Sequence, residues 1–221
     1  MGGADLLAWV ACLPPEARDA ALEERLGIAR HATSSAPPGE HLVGYHASGV
    51  APIVGALFEV PVVPGDVVVD LGAGLGKVVL LTKLLTGATA RGVELQPALV
   101  ARARAAAASL EVEVQFAHED ARRSNLDDGT VFFLYLPFTG PALSDVLHRL
   151  HGVAARRAIV VCALGIELDR EAPWLTRRPA DSFWLTIYDS VAPGIPPRPE
   201  GLRSPLAHDL ARIVAHERAL G

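Results

Sequence analysis

The chain has 221 residues, 20 basic and 25 acidic, with a net charge of −5 and half of its residues hydrophobic. That length holds one domain with appendages, and its core needs neither disulfide nor metal staples. The acidic balance excludes a non-specific binder of nucleic acid or anionic membrane, and Lys77 and Lys83 among so many arginines and alanines read as coding bias.

Residues 4–30 read as helical, with Leu22, Leu26 and Ala29 on one face and Pro15 in a first turn. Residues 32–40 are a loop by composition, and 48–59 form a further helix that Pro52 interrupts near its start. The regular part begins with the β-branched strand Val67-Val68-Val69-Asp70, ended by Gly72-Ala73-Gly74-Leu75-Gly76. A helix follows over 77–85 with Gly87 as its stop, then a strand over 90–94 and a helix over 97–109 opened by proline. Strands are predicted at 112–116, 131–136 and 158–164, with a helix over 141–151 between the last two. The run 183–188 alternates as a late edge strand, antiparallel orientation being open. Five prolines forbid regular structure over 191–205, and a last helix puts Leu206, Leu210, Ile213 and Val214 on one side.

Strands alternating with helices at this spacing imply an α/β, doubly wound, Rossmann-like parallel sheet with helical additions at both ends. The expected division is a helical cap and loop over 1–44, a core over 45–190, and a Pro-rich segment with a C-terminal helix over 191–221. Cys12 and Cys162 lie far apart in apolar surroundings, as expected of a reducing cytoplasm. The apolar stretch 6–13 has no basic residue ahead of it, unlike a signal peptide, and no run reaches the roughly 18 residues of a membrane span.

The glycine turn selects the ligand class, because a strand–turn–helix presents free N–H groups at the helix start. A P-loop is excluded: Gly72 to Gly76 is one residue short, and Val78 after Lys77 offers no hydroxyl to a metal. A dinucleotide turn needs a third glycine where Lys77 stands, and the Asp70 carboxylate would repel a pyrophosphate. A carboxylate there suits a ligand carrying an ammonium and a sulfonium. The run Asp70-Leu71-Gly72-Ala73-Gly74-Leu75-Gly76 resembles the D-x-G-x-G-x-G loop of the class I S-adenosylmethionine (SAM)-dependent methyltransferases.

The resemblance implies a seven-stranded sheet and a loop (Gly72, Ala73, Gly74, Gly76) wrapped around the methionine and ribose of SAM, with Asp70 near the methionine amino group. Glu94 ends the second strand roughly 20 residues on, where a carboxylate can accept both ribose hydroxyls. Asp120, followed by Ala121, matches the family's adenine contact, and Leu95 belongs to the same cofactor set. A tyrosine-bearing segment over 43–48 makes Tyr45 a lid candidate. The loop with Gly92-Val93-Glu94 is also similar to the non-SET protein-lysine methyltransferase branch, from which Lys77 departs by standing where glutamine is expected.

At the reacting end, Tyr135 and Phe138 can form an aromatic wall by cation–π attraction, and Tyr135 and His46 are the candidate catalytic residues. The run Tyr135-Leu136-Pro137-Phe138 lacks the polar residue that nucleobase amino-methyltransferases place before proline, which disfavours nucleic acid as the acceptor. His148 and His151 form a solvated face, and no metal site is expected. The acceptor is then a protein lysine or a small-molecule amine or hydroxyl. An NAD(P)-dependent oxidoreductase and a SAM-binding module without catalysis stay open as alternatives.

Overall fold

A computed structural model describes residues 2–28, 40–42, 44–135, 138–179, 185–196, 198 and 213. The loop expected over 32–39, the strand end at Leu136 and Pro137, Phe183 and Trp184, and Leu206, Leu210 and Val214 of the last helix lie outside these residues. Ile213 is described, and it is helical and buried.

In chain order the elements are α1 (Gly3–Cys12), α2 (Pro15–Arg25), α3 (Val50–Glu59), β1 (Val67–Leu71), α4 (Lys77–Thr86), β2 (Thr89–Glu94) and α5 (Pro97–Ser109). Then come β3 (Gln115–His118), β4 (Val131–Tyr135), α6 (Gly140–Ala154), β5 (Val160–Leu164), β6 (Leu175–Arg178) and β7 (Leu185–Ser190). The strands form one seven-stranded sheet in the order β3-β2-β1-β4-β5-β7-β6. The first five are parallel, and β7 runs antiparallel to both β5 and β6.

The period-two alternation of the central strands builds two cores. Val68, Val131, Phe133, Val160 and Cys162 pack toward the layer of α1 to α5. Val69, Leu71, Phe132, Leu134 and Val161 pack toward α6. Strands covered on both faces need apolar residues at every position, which is why they read as unbroken runs.

Four boundaries differ from the sequence expectation, each for a physical reason. The N-terminal helix is two helices, because Pro14 and Pro15 break it after Leu13 and start α2. Pro52 does not interrupt α3; it sits in the first turn, where its missing N–H has no helical partner to lose. The third strand starts at Gln115 instead of Val112. Glu111 takes a left-handed φ of 53° and the Val112 N–H caps the Ala107 carbonyl, so these residues are spent on ending α5. Finally, β7 is not the edge strand. The outer place belongs to β6, whose Leu-Thr-Arg-Arg sequence is too polar to read as a strand.

The Pro-rich segment starts from the end of β7 beneath the sheet, where the Ser190 N–H donates to Ile159 O and the Val191 N–H to Trp174 O. Arg198 then reaches Asp66, at the start of β1. No helix among the described residues is long and apolar enough to cross a membrane.

Candidate functional site

The site opens where β1, β2, β3 and β4 end, beside the reversal of strand order that follows β1. The chain leaves β1 through Gly72 (φ 89°) and Gly74 (φ 54°) and enters α4 through Gly76 (φ 83°). These are left-handed conformations that glycine adopts without strain. The Gly72 and Ala73 N–H groups both donate to Val93 O, at 2.8 and 3.0 Å, which pins the loop to β2.

Space excludes side chains here as firmly as backbone conformation does. A Cβ on Gly74 would lie 2.6 Å from Cε2 of the Tyr45 ring, and one on Gly92 would lie 2.5 Å from the Ala73 methyl. Gly76 plays another part than the one expected from the motif. It does not line the cleft but packs behind the loop on Phe116 and Ala103, because the turn into α4 carries it away from the opening.

The cleft holds about 840 Å³, counting its open mouth. It brings together Tyr45, His46, Asp70, Gly72, Ala73, Gly74, Glu94, Leu95, Asp120, Ala121 and Tyr135. Of the residues singled out from sequence, only Gly76 falls outside it.

Each carboxylate is held differently. Glu94 is buried, its Oε2 accepting from the Gly74 N–H and its Oε1 from the Gln96 N–H, both at 2.9 Å. It therefore braces the glycine loop from β2. Asp70 is 4 % exposed, and burial, with the nearby Glu94 charge adding to it, pushes its pKa up to about 8. Asp120 accepts from the Arg122 backbone N–H at 2.9 Å and from its guanidinium at 2.6–3.0 Å, which holds its pKa below the usual carboxylate range. The loops are tied to one another as well: the Glu119 N–H donates to Glu94 O, and His118 Nε2 lies 3.0 Å from Leu95 O.

At the other end of the cleft stand Tyr135, half-buried, and Phe138, buried. Leu42 pairs with Phe138 in a short antiparallel bridge, and the Thr139 N–H donates to His41 O. These bonds hold residues 41 and 42 beside the mouth, which Gly44 to Ser48 also line, with His46 exposed at its rim. Leu42, Gln96 and Glu119 also line the cleft and were not singled out from sequence. Gln96 and Glu119 each adjoin a residue that was, whereas Leu42 is brought in by a strand pairing that no local signal encodes.

The donor set decides which ligand fits. The lining carries Asp70, Glu94, Glu119 and Asp120 against one basic residue among those described, Lys77. Its Nζ is tied up by Ser48 O at 2.6 Å, Asp19 at 3.1 Å and Glu23 at 2.6 Å. A diphosphate would meet acidic side chains and, among the described lining residues, no lysine or arginine free to pair with it, so nothing in the cleft supports the oxidoreductase alternative. A ligand with an ammonium and a vicinal diol meets what it needs: a buried carboxyl for the cation, and a carboxylate braced beside glycine N–H groups.

Comparison with known proteins agrees. Residues 68–156 match the family model described as a methyltransferase domain. That stretch holds the glycine loop, Glu94 and Asp120, and it is similar to a methyltransferase domain. No curated protein matches the chain at a significant level. Among solved structures, an RNA methyltransferase from Salinibacter ruber in complex with S-adenosyl-L-homocysteine is 24 % identical, with a TM-score of 0.56 over 71 % of this chain and 100 % of that one. A structure from work on conversion of a disulfide into a thioacetal in echinomycin biosynthesis is 19 % identical, with a TM-score of 0.52 over 63 % of this chain and 82 % of that one. Mitomycin 7-O-methyltransferase is 13 % identical, with a TM-score of 0.50 over 64 % of this chain and 53 % of that one. At such identities the likeness shows a common fold, and the methyltransferases sharing it are said to act on different acceptors.

Proposed function

We propose that this domain transfers the methyl group of SAM to an amine, of a protein lysine or a small cationic molecule. The observation that carries the reading is the acid-rich lining of the cleft, whose one described basic residue is already ion-paired. Such a lining concentrates a cation and repels a phosphate backbone. RNA, the acceptor class of the Salinibacter ruber protein, is opposed by that lining and by the net charge of −5.

In this reading the Asp70 carboxylate receives the ammonium of the bound cofactor and Glu94 its ribose hydroxyls. Asp120 and the Ala121 backbone face its adenine, with Leu95 alongside. Gly72, Ala73 and Gly74 give room for close approach, and Tyr45 covers the loop. SAM, when bound, supplies a methyl group made electrophilic by its sulfonium. The chain's task is to aim an amine lone pair at that carbon and to exclude water. Tyr135 and Phe138 wall the acceptor channel and stabilise an approaching cation by their ring faces. His46, at the rim, takes the proton that the amine gives up.

The test is transfer of label from methyl-labelled SAM in cell extract, followed by separation of protein, nucleic-acid and small-molecule fractions. Label on protein lysine or on a small amine is expected. Label in the nucleic-acid fraction, or in none, overturns the proposal.

A further inference from the structure

The use of a lysine inside a site built for a cation is the unexplained feature. Lys77 opens α4, at the positive end of that helix and on the lining of the cleft, and is only 6 % exposed. A buried ammonium there adds to the helix dipole and works against a sulfonium. Its compensation comes from outside the core. Asp19 and Glu23 stand four residues apart on α2, so both carboxylates point from one helix face. Glu23, 2 % exposed, lies 2.6 Å from the Lys77 Nζ, and Asp19 lies 3.1 Å away. Asp19 Oδ1 also accepts the Val50 N–H at 2.8 Å, which caps α3. The third partner of Lys77, Ser48 O at 2.6 Å, is the end of the segment that carries Tyr45 over Gly74.

We propose that α2 is part of the cofactor site: Asp19 and Glu23 together outweigh the charge of Lys77, so that the cleft discriminates in favour of the cationic cofactor over its neutral demethylated product. The proposal rests on the cofactor site read above. Two carboxylates against one ammonium leave this cluster one negative charge, and the charge acts on the sulfonium of SAM but has no counterpart in S-adenosylhomocysteine. Lys77, Asp19 and Glu23 are thus positioning and specificity-determining residues that act through charge, without touching the reacting atoms.

The test is calorimetric affinity for both ligands, measured on the full chain. In Asp19→Asn/Glu23→Gln the ratio of SAM to S-adenosylhomocysteine affinity should fall about tenfold, the order expected of a charge change in a partly buried cleft. In Lys77→Met it should rise severalfold, and Lys77→Met added to the double variant should bring the ratio back to within about threefold of wild type. Equal losses for the two ligands, or an unchanged ratio in Lys77→Met, would mean that the cluster merely holds α2 in place, and would overturn the proposal. Lys77→Met alone suffices should the double variant not fold. A wild-type chain that binds neither ligand sinks the cofactor-site reading itself, and this inference with it.

Discussion

Asp70 shows how one side chain can couple ligand binding to pH. Its folded-state pKa of about 8 stands above the unfolded value of 3.8, so between these limits the native chain holds a proton that the unfolded chain has lost. Stability from this group is full below about pH 4 and declines as pH rises toward about 8. Asp70→Asn removes the titration. Thermal denaturation of the ligand-free variant should show a higher Tm than wild type above about pH 8 and little difference near pH 4. Binding runs the other way. A ligand ammonium needs the carboxylate, so wild-type affinity for S-adenosylhomocysteine should fall by up to about tenfold per unit on the acid side of pH 8, with proton release. In Asp70→Asn, affinity should be weak and flat over that range; an acid limb unchanged from wild type would remove Asp70 from the site. Asp70, Glu94 and Asp120 were legible in sequence because each lies at or just beyond the end of a strand, and strand ends converge in this fold. The partners of Lys77 were not: Asp19 and Glu23 come from a helix more than fifty residues away, and no spacing rule links them.

Elements were legible where periodicity alone determines them and obscure where a neighbour does. Strands β1, β2, β4 and β5 and helices α4, α5 and α6 follow from apolar runs and glycine or proline punctuation. Strand β6 exists because β7 offers it an edge, and its own residues, mostly polar and half of them exposed, carry no strand signal. The Pro-rich segment is the other case. Composition excludes regular structure there but says nothing about where it docks. The structure puts Arg198 on Asp66, at 2.5 Å with both side chains nearly buried, at the end of the sheet away from the cleft. Asp66 also accepts from the Val63 N–H and the Thr130 hydroxyl, so it serves as the junction of three segments. Arg198→Ala leaves that carboxylate buried with less compensation. A loss of about 3–5 kcal/mol in denaturant unfolding is expected, with S-adenosylhomocysteine affinity unchanged. A large fall in affinity with little loss of stability would place the segment in the functional site instead.

At the scale of the whole molecule, charge distribution bears on the proposed acceptor. A net charge of −5 is spread over a surface whose cleft carries its own excess of acidic groups, and under the proposed function this field draws a cationic amine in from a distance and turns polyanions away. Long-range attraction of this kind is screened over about 8 Å at physiological ionic strength and over about 30 Å at about 0.01 M, so raising salt from about 0.01 to 0.5 M spans the useful range. Across that range kcat/KM for a cationic amine acceptor should fall severalfold while kcat at saturation stays nearly constant, because steering changes encounter and not the aligned displacement. An uncharged acceptor analogue should show no such fall. If kcat/KM instead rises with salt, the acceptor carries negative charge, and the acid lining serves the cofactor alone.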